Sequence, residues 1–223
     1  MNSAKHERFD VLSYDLSKSC SGVVLIGDYT SLRSLHTVLH DINERSPLID
    51  DKEGLFLGLA YDVRKAFERQ RETIEPPAHF EEIGVRYGVN ILWPVLLVQQ
   101  RIMRASLAYI DSSALDQAMT YALESVIEVA IKADFPASSA DIIELWKQLP
   151  TDLRGVAKLH SRGGLFCSWS KIERARKFKN LLASFSSAYE FSYAERARNE
   201  ERDLVDPHEF LQWDGSEWPD PNW

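Results

Sequence analysis

The 223 residues hold 26 Lys and Arg against 34 Asp and Glu, a net charge of −8, which argues against a general nucleic-acid coat. With 44% apolar and 27% charged residues the composition is that of a globular protein and excludes wholesale disorder. The longest strongly apolar run, Val89 to Val98, is interrupted by Asn90 and Pro94 and has about half the length a bilayer span needs. The opening MNSAKHERFD lacks the apolar stretch of a signal peptide, and Cys20 and Cys167 form no CxxC pair, so two reduced thiols in a cytoplasmic, non-membrane protein are expected.

Along the chain, Phe9 to Leu16 alternates as a strand does, with Leu12, Tyr14 and Leu16 on the better core face. SKSCSG turns the chain into Gly22 to Gly27, a β-branched run of strand length, and a β-hairpin joins the two. Asp28 or Thr30 caps a helix to about Glu44 whose buried stripe is Leu32, Leu35, Leu39 and Ile42. Leu55 to Arg71 is the most strongly amphipathic stretch: Leu55, Phe56, Leu59, Ala60, Val63, Ala66 and Phe67 fall on one arc. Glu75-Pro76-Pro77 closes it.

Val85 to Trp93 is a third strand, and Pro94 begins a helix to about Tyr109 with two apolar faces, the mark of a central helix. Ser113 and Asp116 cap a helix to about Ala133 whose core face is Ala118, Met119, Ala122, Leu123, Val126, Val129 and Ala130. A short helix from Ser138 to about Leu149 follows. Thr151 to Ser168 reads as irregular or short-helical, broken at Gly163-Gly164, and Lys171 to about Arg202 as one long helix. The whole is a mainly helical α+β domain with a small antiparallel sheet, residues 1–205, followed by an acidic, Trp-rich tail, residues 206–223.

The strings GLAYDVRKAFERQR, YGVNILWPVLLVQ and LDQAMTYALESVIEVAI, preceded by a strand leading into DYTSLRSLHTVL, resemble a family of uncharacterised bacterial proteins that share a domain of unassigned function. The likeness covers about residues 20–135 and brings no catalytic residues with it; no cofactor and no metal are expected.

Four features carry candidate chemistry. Asp62, Arg64, Lys65 and Arg69 flank the helix at Leu55 to Arg71 and could orient a phosphate or carboxylate, although their spacing is also that of ordinary helix-surface ion pairs. His36, His40 and Glu44 recur at four-residue steps, a spacing that can hold a metal, against the simpler reading of a solvated flank. Arg154, Lys158, Arg162, Lys171, Arg174, Arg176, Lys177 and Lys179 face only Glu173 in their segment, a local charge of +7 that leaves −15 for the rest of the chain. Such a segment could bind nucleic-acid phosphates or an acidic partner, or pair with the protein's own acids. The tail bears six acids from Asp203 on, no Lys or Arg, and Trp213, Trp218 and Trp223 at five-residue intervals. These tryptophans either pack on their own domain or anchor another chain, and the tail is placed to lie across the basic segment. The absence of a strong catalytic constellation points to an interaction subunit that works through a protein partner, with a homo-oligomer as one form. A nucleic-acid-binding component and an enzyme acting on a phosphate- or carboxylate-bearing substrate are the alternatives.

Overall fold

A computed structural model describes residues 11–79, 81–199 and 201–221, with the backbone alone for Leu153 and Arg154. The hairpin forms as expected: β1 (Leu12–Leu16) runs antiparallel to β2 (Gly22–Gly27), with Leu12 opposite Gly27 and Leu16 opposite Val23. Phe9 and Asp10, the expected start of the first strand, lie outside the described residues. Leu12 is buried and Tyr14 half-buried, but Leu16 is exposed where the strand ends. The loop between the strands holds Ser19 and Cys20 at φ 59° and 52°, a left-handed conformation that costs non-glycine residues about 1 kcal/mol each.

The third expected strand is β4 (Arg86–Leu92), paired antiparallel with β2. On its far side lies β3 (Glu72–Ile74), giving the order β1-β2-β4-β3. β3 was not expected. It lies between the stretch read as amphipathic helix, Leu55 to Arg71, and Glu75-Pro76-Pro77; that helix ends at Phe67, and Arg69 turns the chain at φ 61°. An exposed edge strand of three residues leaves no buried alternation to read. Val23, Leu25, Val89 and Ile91 line the buried face of the sheet, while Asn90 and Asp15 are exposed on the other, the one-sided burial usual for antiparallel sheets.

α1 (Tyr29–Arg45) starts at Asp28, whose carboxylate accepts from the Ser31 amide at 2.7 Å, and buries Leu32, Leu35, Leu39 and Ile42 as expected. It packs along α2 (Leu55–Phe67), which buries Phe56, Leu59, Ala60, Val63 and Ala66. α3 (Trp93–Ser106), with Pro94 in its first turn, is central and packs against α1, α4, α5 and α6. α4 (Ala114–Asp134) opens with the capping box of Ser113 and Asp116, and α5 (Ser139–Lys147) follows it.

The C-terminal third departs from expectation. Residues 153–168 form one helix, α6 (Leu153–Ser168), which Asp152 caps through the Gly155 amide at 2.9 Å. Glycine costs about 1 kcal/mol in a helix interior; here Ser161 to Cys167 are all buried, and packing overrides propensity. The long helix expected from Lys171 is two, α7 (Lys171–Ala183) and α8 (Tyr189–Arg198). A 3-10 turn, Pro207–Trp213, then brings Phe210 into the core cluster that contains Leu12, Leu96 and Phe178. The change of composition at 206 is therefore not a break in the core. The fold is a mainly helical α+β domain with a small four-stranded antiparallel sheet. Among the described residues no helix is long and apolar enough to cross a membrane.

Candidate functional site

Three cations of the basic segment, Lys158, Arg162 and Arg174, hold helix ends. Lys158 on α6 donates to the carbonyls of Phe185 and Ser186, at 3.0 and 3.3 Å, just beyond the C-terminus of α7. Arg162, one turn along α6, donates through Nε to Ser184 Oγ and through a terminal nitrogen to the Ser184 carbonyl. In return Arg174 on α7 donates to the Phe166 and Cys167 carbonyls at 3.0 and 2.9 Å, in the last turn of α6, and to the Ser19 carbonyl at 3.3 Å. Cations are favoured at helix C-termini, where carbonyls lack intrahelical partners. Each helix thus supplies the other's cap, and the break between α7 and α8 is where those caps act.

Arg162 and Arg174 are 5% and 1% exposed, out of reach of a polyanion. Burial pushes the Arg162 guanidinium down to about 10, which leaves it charged at neutral pH. Arg176 pairs with Asp203 at 2.6 Å, Lys179 with Asp141 at 3.1 Å, and Lys177 lies 3.9 Å from Glu173 and over the Trp169 ring. Lys171 is exposed, and the Arg154 side chain lies outside the described residues. The expected basic face is dispersed, because its charges answer carbonyls and acids of the same domain.

The tail lies across this segment, but aromatic packing holds it there. Trp218 sits on Gly163 and Trp213 on Gly164: a Cβ built on Gly163 would come within 2.3 Å of the Trp218 ring, and one on Gly164 within 3.0 Å of Trp213. Two adjacent glycines give α6 a notch as deep as its own backbone. The His160 ring nitrogen Nδ1 lies 3.0 Å from the Trp213 carbonyl oxygen, and the Arg162 guanidinium lies 3.8 Å from the centre of the Phe210 ring. Both indole N–H groups are buried without an acceptor among the described residues. Trp213 and Trp218, each half-buried, are thus engaged within the chain. Trp223 lies outside the described residues. The glycine pair, read in the sequence as a helix break, was the available signal for this seat.

The flank of α2 is an ordinary helix surface. Asp62 pairs with Arg71 at 2.7 Å, Arg64 lies 3.9 Å from Glu68, and Arg64 and Lys65 lie over the Tyr61 ring. All are substantially exposed, and such pairs stabilise by about 0.2–1 kcal/mol. His36 rests against Phe67, with ring centres 5.9 Å apart, and burial lowers its pKa. Among the described residues no group of three His, Cys, Asp or Glu side chains is arranged to hold a metal.

Two features escaped the sequence reading. The first is Asp134, at the end of α4, which accepts from the Trp93 indole at 2.8 Å and from the Cys20 thiol. Burial lifts its carboxyl above the ordinary range despite those hydrogen bonds, and lifts the Cys20 thiol to about 11. A carboxyl that keeps its proton longer when folded makes stability fall as pH rises from the unfolded value of 3.8 through the folded one. Asp134→Asn, which retains an acceptor for Trp93, should therefore gain stability relative to the parent above that window and lose the advantage below it, as urea midpoints on both sides would show.

The second is the outer arc of α4. Leu115, Ala118, Tyr121, Ser125, Val129 and Lys132 are exposed along it, with a single charge among them. Four of the seven residues of the expected core face of this helix, Ala118, Ala122, Val126 and Val129, point outward or are only partly covered. Core-facing burial instead falls on Met119, Thr120, Leu123, Ile127, Ala130 and Ile131. Beside the arc runs the sheet edge β1, and between them lies a groove of about 360 Å³ lined by Val11, Tyr14, Ala122, Val126 and Val129.

The model of a domain of unknown function, DUF6904, matches residues 12–223. The chain belongs to this family. The DUF6904 match spans the capping helices and the tail as well as the part between 20 and 135 that carries the resemblance. Neither a curated protein nor a solved structure matches the chain.

Proposed function

We propose that this DUF6904 protein is a cytoplasmic interaction subunit without catalysis of its own, and that it assembles with a second copy of itself through the α4–β1 face. The observation that carries the reading is the outer arc of α4: a helix apolar around most of its circumference belongs in a core, yet Leu115 and Val129 are 61% and 51% exposed. The order of side chains is self-complementary. Leu115 and Val129 lie equally far before and after Ala122, as do Ala118 and Val126. Two copies of α4 crossing antiparallel at Ala122 therefore set Leu115 of one against Val129 of the other, the reciprocal pattern of a two-fold interface. Ala118, Ala122 and Ser125 are small enough for close approach, and the edge of β1, unpaired among the described residues, continues the surface.

Sedimentation or light scattering across the micromolar range should give twice the 25.5 kDa chain mass, and Val129→Glu should give a folded monomer. A monomeric parent protein would overturn the second copy as occupant. A dimer indifferent to Val129→Glu would overturn the surface.

A further inference from the structure

A second site lies on the other side of α4. Between α3, α4 and α5 is a cleft of about 490 Å³ whose wall includes Arg101, Arg104, Glu124, Trp146, Lys147 and Thr151. Three cations face it against one carboxylate, and two of them are already spoken for. Arg104 Nε lies 3.4 Å from Glu124 and its guanidinium stacks 4.6 Å from the centre of the Tyr121 ring; Lys147 pairs with Glu128. The Glu124 oxygen facing Arg104 also accepts from Gln100 at 3.3 Å. Trp146 forms a rigid floor: it is 1% exposed and its indole donates to the Leu97 carbonyl at 3.1 Å.

Arg101 differs from its neighbours. Its Nε is buried, and no described residue offers it an acceptor. Buried donors are nearly always paired with protein, water or ligand, and an arginine that pairs with no carboxylate among the described residues, at the wall of a cleft, is short of an anion. Arg101 as a whole is half-buried, and the two fully buried arginines show the contrast: Arg162 and Arg174 are each met by carbonyl or hydroxyl oxygens.

We infer that this cleft binds a small oxyanion-bearing molecule through Arg101, with Arg104 and Lys147 adding positive potential. The planar guanidinium fork suits a carboxylate or a phosphate, either of which it engages with two parallel hydrogen bonds. The cleft is larger than such a group and falls in the range of metabolite sites. Ala105, Ala108 and Tyr109 on the same wall leave an apolar side for the rest of the ligand. The inference is independent of the dimer reading, since the cleft opens between α3 and α5 rather than on the α4–β1 face.

Inorganic phosphate and succinate serve as separate probes, followed by calorimetry and by the NMR signal of the Arg101 Nε–H group. At least one probe should bind saturably and shift that signal. Arg101→Gln should weaken binding about tenfold or more, Arg101→Lys less, and Arg33→Gln, on α1 outside the cleft, should leave it unchanged. Circular dichroism melts establish that each variant is folded, and Arg101→Lys keeps the comparison if Arg101→Gln unfolds. Preference for phosphate assigns the ligand to phosphate esters, preference for succinate to carboxylates. No saturable binding of either probe by the parent protein, or equal binding by Arg101→Gln and the parent, overturns the site.

Discussion

Replacing Arg174 with alanine should remove about 3–5 kcal/mol of stability, measured as the loss in urea unfolding free energy. The side chain is 1% exposed and joins three pieces of chain: the last turn of α6 through Phe166 and Cys167, the strained loop at Ser19, and α7 itself. Alanine would leave three carbonyls without this donor and open a cavity beside Phe166, over which the guanidinium lies at 5.1 Å. Charge-assisted hydrogen bonds contribute about 1.5–3 kcal/mol each, and the total falls short of their sum because water enters part of the space. Arg174→Lys, which keeps the charge but cannot span three acceptors, should lose about half as much. Arg176→Ala, which removes a surface pair with Asp203, should cost less than about 1 kcal/mol. A loss below 1 kcal/mol for Arg174→Ala would mean that α6 and α7 do not need this cap.

The second expected result is a change of sign. In the parent protein Gly163→Ala should destabilise by about 1–3 kcal/mol, because the new methyl enters the space of the Trp218 ring, 2.3 Å away, and overpacking costs that much. With Trp218 replaced by alanine the same change should stabilise by up to about 1 kcal/mol, the helix-propensity gain of alanine over glycine. The cycle of the two single variants and the double variant measures the coupling directly. Tryptophan fluorescence should shift to the red in Gly163→Ala as the indole leaves its seat. Additive effects of the two changes would show that the tail does not rest on this notch. The energetic balance also explains why the seat is aromatic: the indole faces bury apolar area, while their N–H groups find no acceptor, a cost of about 1–3 kcal/mol for each buried donor.

The two results concern residues that the sequence singled out for other work. Arg174 stood out by charge and Trp218 by rarity, and arginine is an exposed-residue type by habit. What decides their fate is a carbonyl or a glycine supplied from elsewhere in the chain. On α7, Arg174, Phe178, Leu181 and Leu182 are buried and Ala175 is exposed. A guanidinium whose donors meet carbonyls behaves as core. Hydrophobic periodicity counts it as surface. The same limit applies at α4, where apolar spacing was read as a core face although part of that face is left uncovered by the described residues. The cleft at Arg101 left no trace in the sequence at all, since its wall is drawn from three helices.

Signals that act within one helical turn or one hairpin were decided by the sequence alone. Asp28 and Ser113 cap their helices, Pro94 opens α3, the β1–β2 hairpin closes, and the buried stripes of α1 and α2 follow from spacing, because the groups involved are a few residues apart whatever the rest of the chain does. The tertiary structure alone decided that α6 runs through Gly163-Gly164, that Lys158, Arg162 and Arg174 cap helices, and that Trp213 and Trp218 are occupied. Each depends on a partner tens of residues away, whose carbonyl, ring or empty space exists only after the chain has packed.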